Sequence, residues 1–345
     1  MMKSIALLAL CAAVAAVGLL TSGGATAAAP TAYAWLSDDI GLGMVGAGLI
    51  VNRATLTAAF TGFKTTFNQA FSTAANDWDK VAMTVPSQTR QETYAWLGST
   101  TRFREWIGDR VIQNLGTHDF TIKNKSWENT IGVNRDDIED DTLGVYTPLF
   151  QQLGQDAKTH PDELVFALLK DGFGQTCYDG QYFFDTDHPV LGADGSPTSV
   201  SNMQTGGGEP WFLLDASKAV KPVIFQKRRD YQFVAMDSLT DEAVFSRKEF
   251  RYGVDARVNV GFGLWQVAYG SKDTLSAANY GAARAAMMGL KGDQGKPLNI
   301  RPSLLVVPPS LEGKALEILN AERTAAGATN VYKGTAQLLV TPWLA

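Results

Sequence analysis

Residues 143–170 read LGVYTPLFQQLGQDAKTHPDELVFALLK, and this stretch decides the fold. Its apolar residues recur at helical spacing on both sides of Pro161. Pro148 is tolerated because it lies near the helix start, whereas Pro161 falls inside the pattern. The stretch therefore predicts one long helix with a kink near Pro161, or two helices in series. The apolar face consists of Tyr146, Leu149, Phe150, Leu153, Val165, Leu168 and Leu169.

The residues on either side set the limits of this helical segment. Upstream, the acidic run DDIEDD occupies residues 136–141. Carboxylates ahead of a helix suit the positive end of its dipole. Downstream, Gly172 and Gly174 are typical of a helix end.

A second amphipathic helix is predicted over residues 54–71, with Asn52 as its N-cap. Its apolar positions are separated by steps of four, three, four and four residues, which place them on one face. A phenylalanine stripe of this kind is more typical of packing than of a ligand site. The stripe consists of Leu56, Phe60, Phe63, Phe67 and Phe71.

Residues 81–133 alternate in the manner of a β-hairpin, with strands flanking the polar, turn-like tract at 123–126. Inside this region Trp96 and Trp106 lie close to Gly98 and Gly108. An aromatic segment interrupted by glycines indicates an extended loop that packs on a neighbouring molecule. Packing of the loop on its own domain is the alternative.

The second half of the chain alternates strands and helices irregularly, which favours an α+β fold over a parallel series. Residues 172–209 are rich in Gly, Asp, Ser and Pro and predict a surface loop. Helices are predicted near 277–288 and after Ser310, which we expect to be an N-cap. Strands are predicted at 211–214, 223–225, 231–235, 243–245, 258–269, 303–307 and 338–340.

Composition bounds the class of protein. The chain has 345 residues, is 45% hydrophobic and carries a formal net charge of −5. That length is enough for one large or two modest cores. A nucleic-acid binder normally carries a basic balance or stripe, whereas the one dense basic run here, Lys227-Arg228-Arg229, is followed by Asp230. We expect that run to be a solvated strand end or turn.

Residues 1–29 have the pattern of a secretory signal peptide. Lys3 is followed by an apolar run from residue 5 to residue 20, and Ala25-Thr26-Ala27 is a small-residue cleavage site. The alternative is that translation begins at Met44, so that residues 1–43 are a misassigned extension. Ordered patterning begins only after Leu49, and the break in composition near Met44 favours the misassigned extension.

Catalytic and metal-binding signatures are missing from the sequence. No nucleophile elbow, zinc-protease motif or phosphate-binding loop occurs. The segment Asp185-Thr186-Asp187-His188 contains possible metal ligands, but its spacing fits no common site class, so we expect a loop with Asx turns. Cys177 could form a dyad with a histidine, yet a structural thiol is the better interpretation. We predict no enzyme activity, no cofactor, no metal and no catalytic residue.

Several stretches resemble the Mu-like phage and prophage major head subunit family, in the same order along the chain. Each motif is short, but together they are specific, and they cover the chain from about Leu49 to its end. The apolar N-terminal extension has no counterpart in the family pattern. The stretches are YAWLG (94–98), REWIG (104–108), VNRDDIEDD (133–141), PDEL (161–164), KDGF (170–173), CYDGQ (177–181), FDTDHP (184–189), AVKPVIFQ (219–226) and VVPPSLE (306–312).

The resemblance implies the HK97-like major capsid fold, with an N-terminal arm, an extended loop, a peripheral domain and an axial domain. The implied division is an extension at 1–43, the arm at 44–80, the extended loop with peripheral strands at 81–133, the spine helix at 134–174, the axial domain at 175–225 and 275–345, and further peripheral strands at 226–274.

The implied function is a structural capsid protein that assembles into an icosahedral phage head around double-stranded DNA. Expected partners are further copies in pentamers and hexamers, together with scaffolding and portal proteins, and decoration proteins are a further candidate. The expected location is the virion, after assembly in the host cytoplasm. The predicted assembly contacts are Trp96, Trp106, Phe60, Phe63 and Phe67.

Two other classes of protein remain as alternatives. The signal-like N-terminus would suit a secreted or periplasmic binding protein, which we would expect to be a monomer in the periplasm. A secreted hydrolase that uses His188 or Cys177 is the other, and its activity should be lost when either residue is replaced.

Overall fold

The computed structural model describes residues 50–95, 97, 120–192, 194–292 and 295–345. All described residues belong to one compact unit, residues 48–345. The interpretations of residues 1–43 therefore lie outside the described residues. No helix in the described ranges is both long and apolar enough to cross a membrane.

The described residues form seven α-helices and thirteen strands, which confirms the α+β class. The helices are α1 (Arg53–Thr73), α2 (Trp78–Val81), α3 (Arg135–Glu139), α4 (Thr147–Asp171), α5 (Glu242–Arg247), α6 (Ala277–Gly289) and α7 (Glu312–Leu319). The strands are β1 (Ala82–Pro86), β2 (Gln91–Thr93), β3 (Thr121–Lys123), β4 (Lys125–Asn134), β5 (His188–Leu191), β6 (Pro197–Val200), β7 (Met203–Gln204), β8 (Trp211–Leu214), β9 (Val223–Met236), β10 (Glu249–Phe262), β11 (Ala268–Ser271), β12 (Leu304–Val307) and β13 (Gln337–Val340).

Two main sheets organise these strands. A four-stranded sheet has the order β1-β9-β10-β4, and a five-stranded sheet has the order β13-β12-β8-β11-β7. In the first, β9 is parallel to β1 and antiparallel to β10, which is antiparallel to β4. In the second, β8 runs antiparallel to both β11 and β12.

Two hydrophobic cores result, and α4 contributes to both. The first core contains the five-stranded sheet, α6, α7, the beginning of β9 and the C-terminal turns of α4, including Phe166 and Leu169. The second core lies between α1, the N-terminal half of α4 and the far half of the β9–β10 pair, including Phe150 and Tyr252. The chain length had allowed two modest cores, and the structure has two.

The long helical segment is a single helix. Residues 143–146 form a 3-10 turn, α4 follows from Thr147 to Asp171, and Pro161 lies inside it. The next residue, Asp162, is buried, and its Oδ1 accepts hydrogen bonds from the backbone N–H groups of Asp77 (2.9 Å) and Trp78 (2.6 Å). The middle of α4 therefore holds the start of α2 in place.

The helix predicted over residues 54–71 is confirmed as α1, with Asn52 as its N-cap in a reciprocal capping box with Thr55. Its phenylalanine stripe packs on α4, where the rings of Phe63 and Phe150 stack at 4.1 Å. The helices approach closely at Gly154, since a Cβ atom there would lie 2.6 Å from the carbonyl oxygen of Phe67. The absence of a side chain at Gly154 is what permits this approach.

The predicted turn at 123–126 is wrong. Only Asn124 separates β3 from β4, and the two strands pair with different partners, β2 and β10. The Asn124 side chain fixes this extended path, because its Nδ2 donates to Ser87 Oγ (2.8 Å) and to the carbonyl oxygen of Thr89 (2.9 Å). The alternation of apolar and polar residues identified the strands correctly, but it could not show which strands pair with each other.

The predicted strand at 243–245 is also wrong, because these residues lie in α5. Three apolar residues are too few to separate a period of two from one of 3.6. The predicted strands at 223–225 and 231–235 are one continuous strand, β9, so the basic run at 227–229 lies within a strand and not at an end or turn. The predicted strand at 258–269 is divided by a 3-10 turn at Trp265–Val267.

The surface loop predicted at 172–209 is wrong in its buried part. Phe183, Phe184, His188 and Asn202 are all buried, although the segment is rich in Gly, Asp and Ser. Asn202 replaces regular pairing there, since its Nδ2 donates to the carbonyl oxygen of Phe183 at 2.9 Å. The composition indicated irregular structure correctly, but it did not reveal that Phe183 and Phe184 are buried within it.

Two predicted helix starts are corrected as well. Leu311 and not Ser310 occupies the N-cap of α7, while the Ser310 hydroxyl donates to the carboxylate of Glu209. The acidic run does not simply precede α4, because α3 forms within it, with Asp136 and Asp137 in its first turn. α6, β8, β12 and β13 lie where helices and strands were predicted.

We expect Gly154→Ala to destabilise the unassembled subunit by about 1–3 kcal/mol, because the new methyl group overpacks the α1–α4 contact. Gly289→Ala is the matched control, since nothing lies within 4 Å of a Cβ at that helix position. The control should be neutral or stabilising by at most about 1 kcal/mol. Urea unfolding of both variants measures the difference, and equal midpoints would contradict the close contact at Gly154.

Candidate functional site

The structure brings Cys177 and His188 together through a third residue, Asp179. The Cys177 thiol donates to Asp179 Oδ1 at 3.0 Å, and His188 Nδ1 lies 2.7 Å from Asp179 Oδ2. A tight turn positions the carboxylate, with Gly180 at a φ of +89°. The His188 ring also stacks on Trp265, with ring centroids 3.9 Å apart.

This cluster is not arranged for nucleophilic catalysis. Burial raises the pKa of the Cys177 thiol, and its hydrogen bond to Asp179 and the charge of that carboxylate raise it further. Burial alone would raise the pKa of Asp179, but the hydrogen bonds from His188 and Cys177 lower it below its ordinary value. The carboxylate lies between thiol and imidazole, so the imidazole is not placed to accept the thiol proton.

The same three side chains could surround a metal ion, since their ligand atoms lie within 4.8 Å of one another. Both carboxylate oxygens of Asp179 are already engaged, however, one with the thiol and one with the imidazole. The predicted Asx turn does not form at Asp185, whose carboxylate accepts instead from the backbone N–H groups of the next residue, Thr186 (2.7 Å), and of Tyr182 (3.2 Å). The cluster therefore acts as a buried polar link that holds residues 177–188 against Trp265.

Sequence reasoning missed Asp179 as the partner of His188. The signal was present, because Asp179 stands two residues after Cys177 and nine before His188. The short separation in sequence did not show that the turn at Gly180 brings the Asp179 carboxylate into contact with both Cys177 and His188.

A groove of about 400 Å³ opens between α4 and the four-stranded sheet. At its base His160 Nδ1 lies 2.6 Å from the hydroxyl of Tyr231, and the His160 ring meets Trp127 edge-on at 4.6 Å. Burial lowers the pKa of His160, although nearby Glu163 opposes the shift. An uncharged imidazole is the result at neutral pH, which suits a packing role.

The tip of the β9–β10 pair carries an exposed apolar surface. We call the ribbon tip residues 234–248, which include the end of β9, the connection and α5. Phe245 is 90% exposed there, and Val234, Met236 and Leu239 are each between 44% and 48% exposed. Large apolar side chains left exposed in one short stretch of chain indicate an interaction surface.

The predicted assembly contacts fall into two groups. Trp96 and Trp106 lie outside the described residues. Of the α1 residues, Phe63 and Phe67 are only 5% and 3% exposed, so they pack in the second core and offer no surface to a neighbour. Phe60 is half-buried and reaches the surface beside the ribbon tip.

The family model of the Mu-like prophage major head subunit gpT matches residues 56–344. The major capsid protein of Escherichia phage Mu is 43% identical over 305 residues, which cover 86% of this chain and 100% of that protein. The FluMu prophage major head subunit of Haemophilus influenzae is 45% identical over 275 residues, which cover 78% of this chain and 89% of that protein.

Solved capsid structures are similar as well. The procapsid of bacteriophage JBD30 matches with a TM-score of 0.76 at 47% identity, covering 85% of this chain and 100% of that chain. The JBD30 capsid matches with a TM-score of 0.69 at 36% identity, covering 86% of this chain and 100% of that chain. The same capsid has also been solved decorated with minor capsid protein trimers.

We expect the Cys177 thiol to be unreactive in the folded chain, because it is buried and its pKa is raised. In the Cys11→Ala variant, where Cys177 is the remaining cysteine, a disulfide reagent at pH 8 should react roughly a hundredfold more slowly before than after denaturation. Adding Ser196→Cys, at an exposed turn position, gives a control that should react at once. Equal rates for Cys177 in the folded and unfolded chain would contradict its placement.

Proposed function

This chain belongs to the Mu-like prophage major head subunit family, and we propose that its copies associate through three regions: α1, the extended loop predicted within residues 81–133 and the ribbon tip. The protein is a structural major capsid protein with an HK97-like fold, and its place is the shell of the virion. The observation that carries this conclusion is similarity in sequence and structure over at least 85% of the chain and the whole length of the Mu and JBD30 proteins.

The division into capsid domains is supported by the two cores. The second core fits a peripheral domain built from residues 134–174 and 226–274, with the arm at 44–80 packed on it through α1. The first core fits an axial domain built from residues 175–225 and 275–345, except that it also includes Phe262, Trp265 and β11, which this division assigns to the peripheral strands. Because α4 contributes Phe150 to one core and Phe166 to the other, it has the position expected of a spine helix.

Contacts at its two ends support the extended loop predicted within residues 81–133. Tyr94, Leu97 and Ile122 are buried at its base. The Tyr94 hydroxyl donates to Gln226 Oε1 at 2.8 Å, and the Tyr94 N–H donates to the carbonyl oxygen of Phe120 at 2.8 Å. These contacts fix the two ends of the proposed loop against the first core.

We propose that assembly takes place in the host cytoplasm with a scaffold and a portal, and that the shell encloses double-stranded DNA. The net charge of −5 supports enclosure without tight binding, since tight binding relies on cationic contacts to phosphate. The decorated JBD30 capsid supports a decoration protein as a further partner. A secreted binding protein finds no support among these relatives.

We expect Trp106→Ala to reduce the yield of particles while leaving the unfolding midpoint of the unassembled subunit unchanged, because a loop residue gains its contacts on assembly. Electron microscopy of protein produced with its scaffold measures the yield of particles, and urea unfolding measures the midpoint of the unassembled subunit. Trp211→Ala is the control for a core residue, since Trp211 is 0% exposed. Equal destabilisation by both substitutions would assign Trp106 to the core and remove it from the interface.

We expect residues 1–43 to be absent from assembled particles, because export through a working signal peptide would separate the subunit from DNA and the packaging machinery. Mass spectrometry of purified particles should find an N-terminal peptide that begins at or near Met44. A terminus at Ala28 would instead indicate cleavage by signal peptidase, and an intact Met1 or Met2 would show that the segment belongs to the shell.

A further inference from the structure

We propose that His160 is a proton-driven switch between α4 and the four-stranded sheet. In the uncharged state its ring bonds inward to Tyr231, and in the charged state it turns outward to the carboxylates on the rim of the groove. All of the residues involved lie within one subunit, so the proposal does not rest on the association of copies. It adds a response to mild acid to a protein whose role is structural.

The inward position joins three elements through one ring. His160 lies on α4, and its Nδ1 atom is 2.6 Å from the hydroxyl oxygen of Tyr231 on β9. The ring also meets Trp127 on β4 edge-on, with the ring centroids 4.6 Å apart. Burial raises the pKa of Tyr231, so its hydroxyl keeps its proton and donates to Nδ1. Only the uncharged imidazole can accept this bond, because both nitrogens of the charged ring carry protons.

The outward position is provided by three carboxylates on the rim of the groove. Asp156 lies four residues before His160 and Glu163 three residues after it, so both share its face of α4. Glu128 of β4 completes the rim, and all three residues are exposed. In the part of the chain that the structure describes, none of the three makes an ion pair. The groove has a volume of about 400 Å³, which leaves room for the ring to turn toward them.

Burial and charge act in opposite directions on this ring. Burial lowers the pKa of His160 and is the larger effect, whereas the charge of Glu163 raises it. The lining residues that β9 and β10 contribute are uncharged, and the nearby Lys158 has its Nζ over the ring of Phe71 at 5.3 Å. Folding therefore favours the uncharged ring. That contribution to stability is complete above the ordinary histidine pKa of 6.5 and is lost as the pH falls below it.

The position of His160 on α4 makes this loss local. The next residue, Pro161, has no backbone N–H to donate to the preceding turn of the helix. Side-chain contacts therefore carry more of the attachment of α4 to the sheet at this point. Protonation removes the acceptor of the Tyr231 hydroxyl and draws the ring toward Asp156 and Glu163, which weakens the contact of α4 with β4 and β9.

Urea unfolding of the full chain before assembly tests the switch with the variant His160→Gln. Glutamine gains no charge in acid, and its side-chain oxygen can accept the Tyr231 hydroxyl. At pH 8 the wild type should be at least as stable as the variant, whereas at about pH 5 the variant should have the higher unfolding midpoint. Over this interval the ratio of folded to unfolded wild-type protein should fall by up to about tenfold more per pH unit than that of the variant. The same dependence on pH in both proteins would overturn the proposal.

The variant Glu163→Gln gives a second measurement that leaves the imidazole in place. Its loss of stability in acid should begin at a lower pH than in the wild type, because a charge that favours the imidazolium has been removed. Glu317→Gln is the matched control, since Glu317 is an exposed glutamate on α7, and it should follow the wild type. An unchanged onset in Glu163→Gln would overturn the role of the rim.

Nuclear magnetic resonance of histidine-labelled protein follows the ring itself. The chain has three histidines, so the signal that is missing in His160→Gln identifies His160. In the folded wild type this signal should titrate at a lower pH than the histidines of the urea-unfolded chain. Titration at the same pH in both states would contradict the inward position.

Discussion

The antiparallel pairing of β9 with β10 is the interaction on which the rest of the subunit depends. Both strands have 14 residues, so the pair extends for about 45 Å. At one end Phe225 faces Val260 in the first core, and at the other Phe233 faces Val254 against the second. A slip of one residue in this register would turn both sets of side chains to the wrong face.

The parts of the fold that sequence predicted are those encoded by local periodicity. The stripe of α1, the apolar face of α4 and the buried run of β12 each repeat over enough residues to identify the element. The continuity of β9 could not be predicted, because Lys227-Arg228-Arg229 breaks its apolar pattern where the strand leaves the first core. Only pairing with β10, including the ion pair between Arg229 and Asp255, shows that the strand continues.

The candidate site was harder to predict for a similar reason. Asp179, Asp162 and Asn202 each satisfy groups that the chain brings near them only after folding, and no spacing rule identifies such partners. Asp162 accepts from residues that precede it by more than eighty positions. Phe245 presents the opposite case, since its apolar character was visible but its outward direction depends on α5. Family resemblance supplied the function because shell proteins act through extended surfaces and not through a compact set of reactive groups.

The burial of Cys177 has a consequence for the life of the particle outside the cell. A virion passes from the reducing interior of its host into oxidising surroundings. Thiol chemistry begins from an accessible thiolate, and the Cys177 thiol is buried beside Asp179 in its protonated form. The change in redox potential on release therefore finds no reactive thiol in the described part of this subunit.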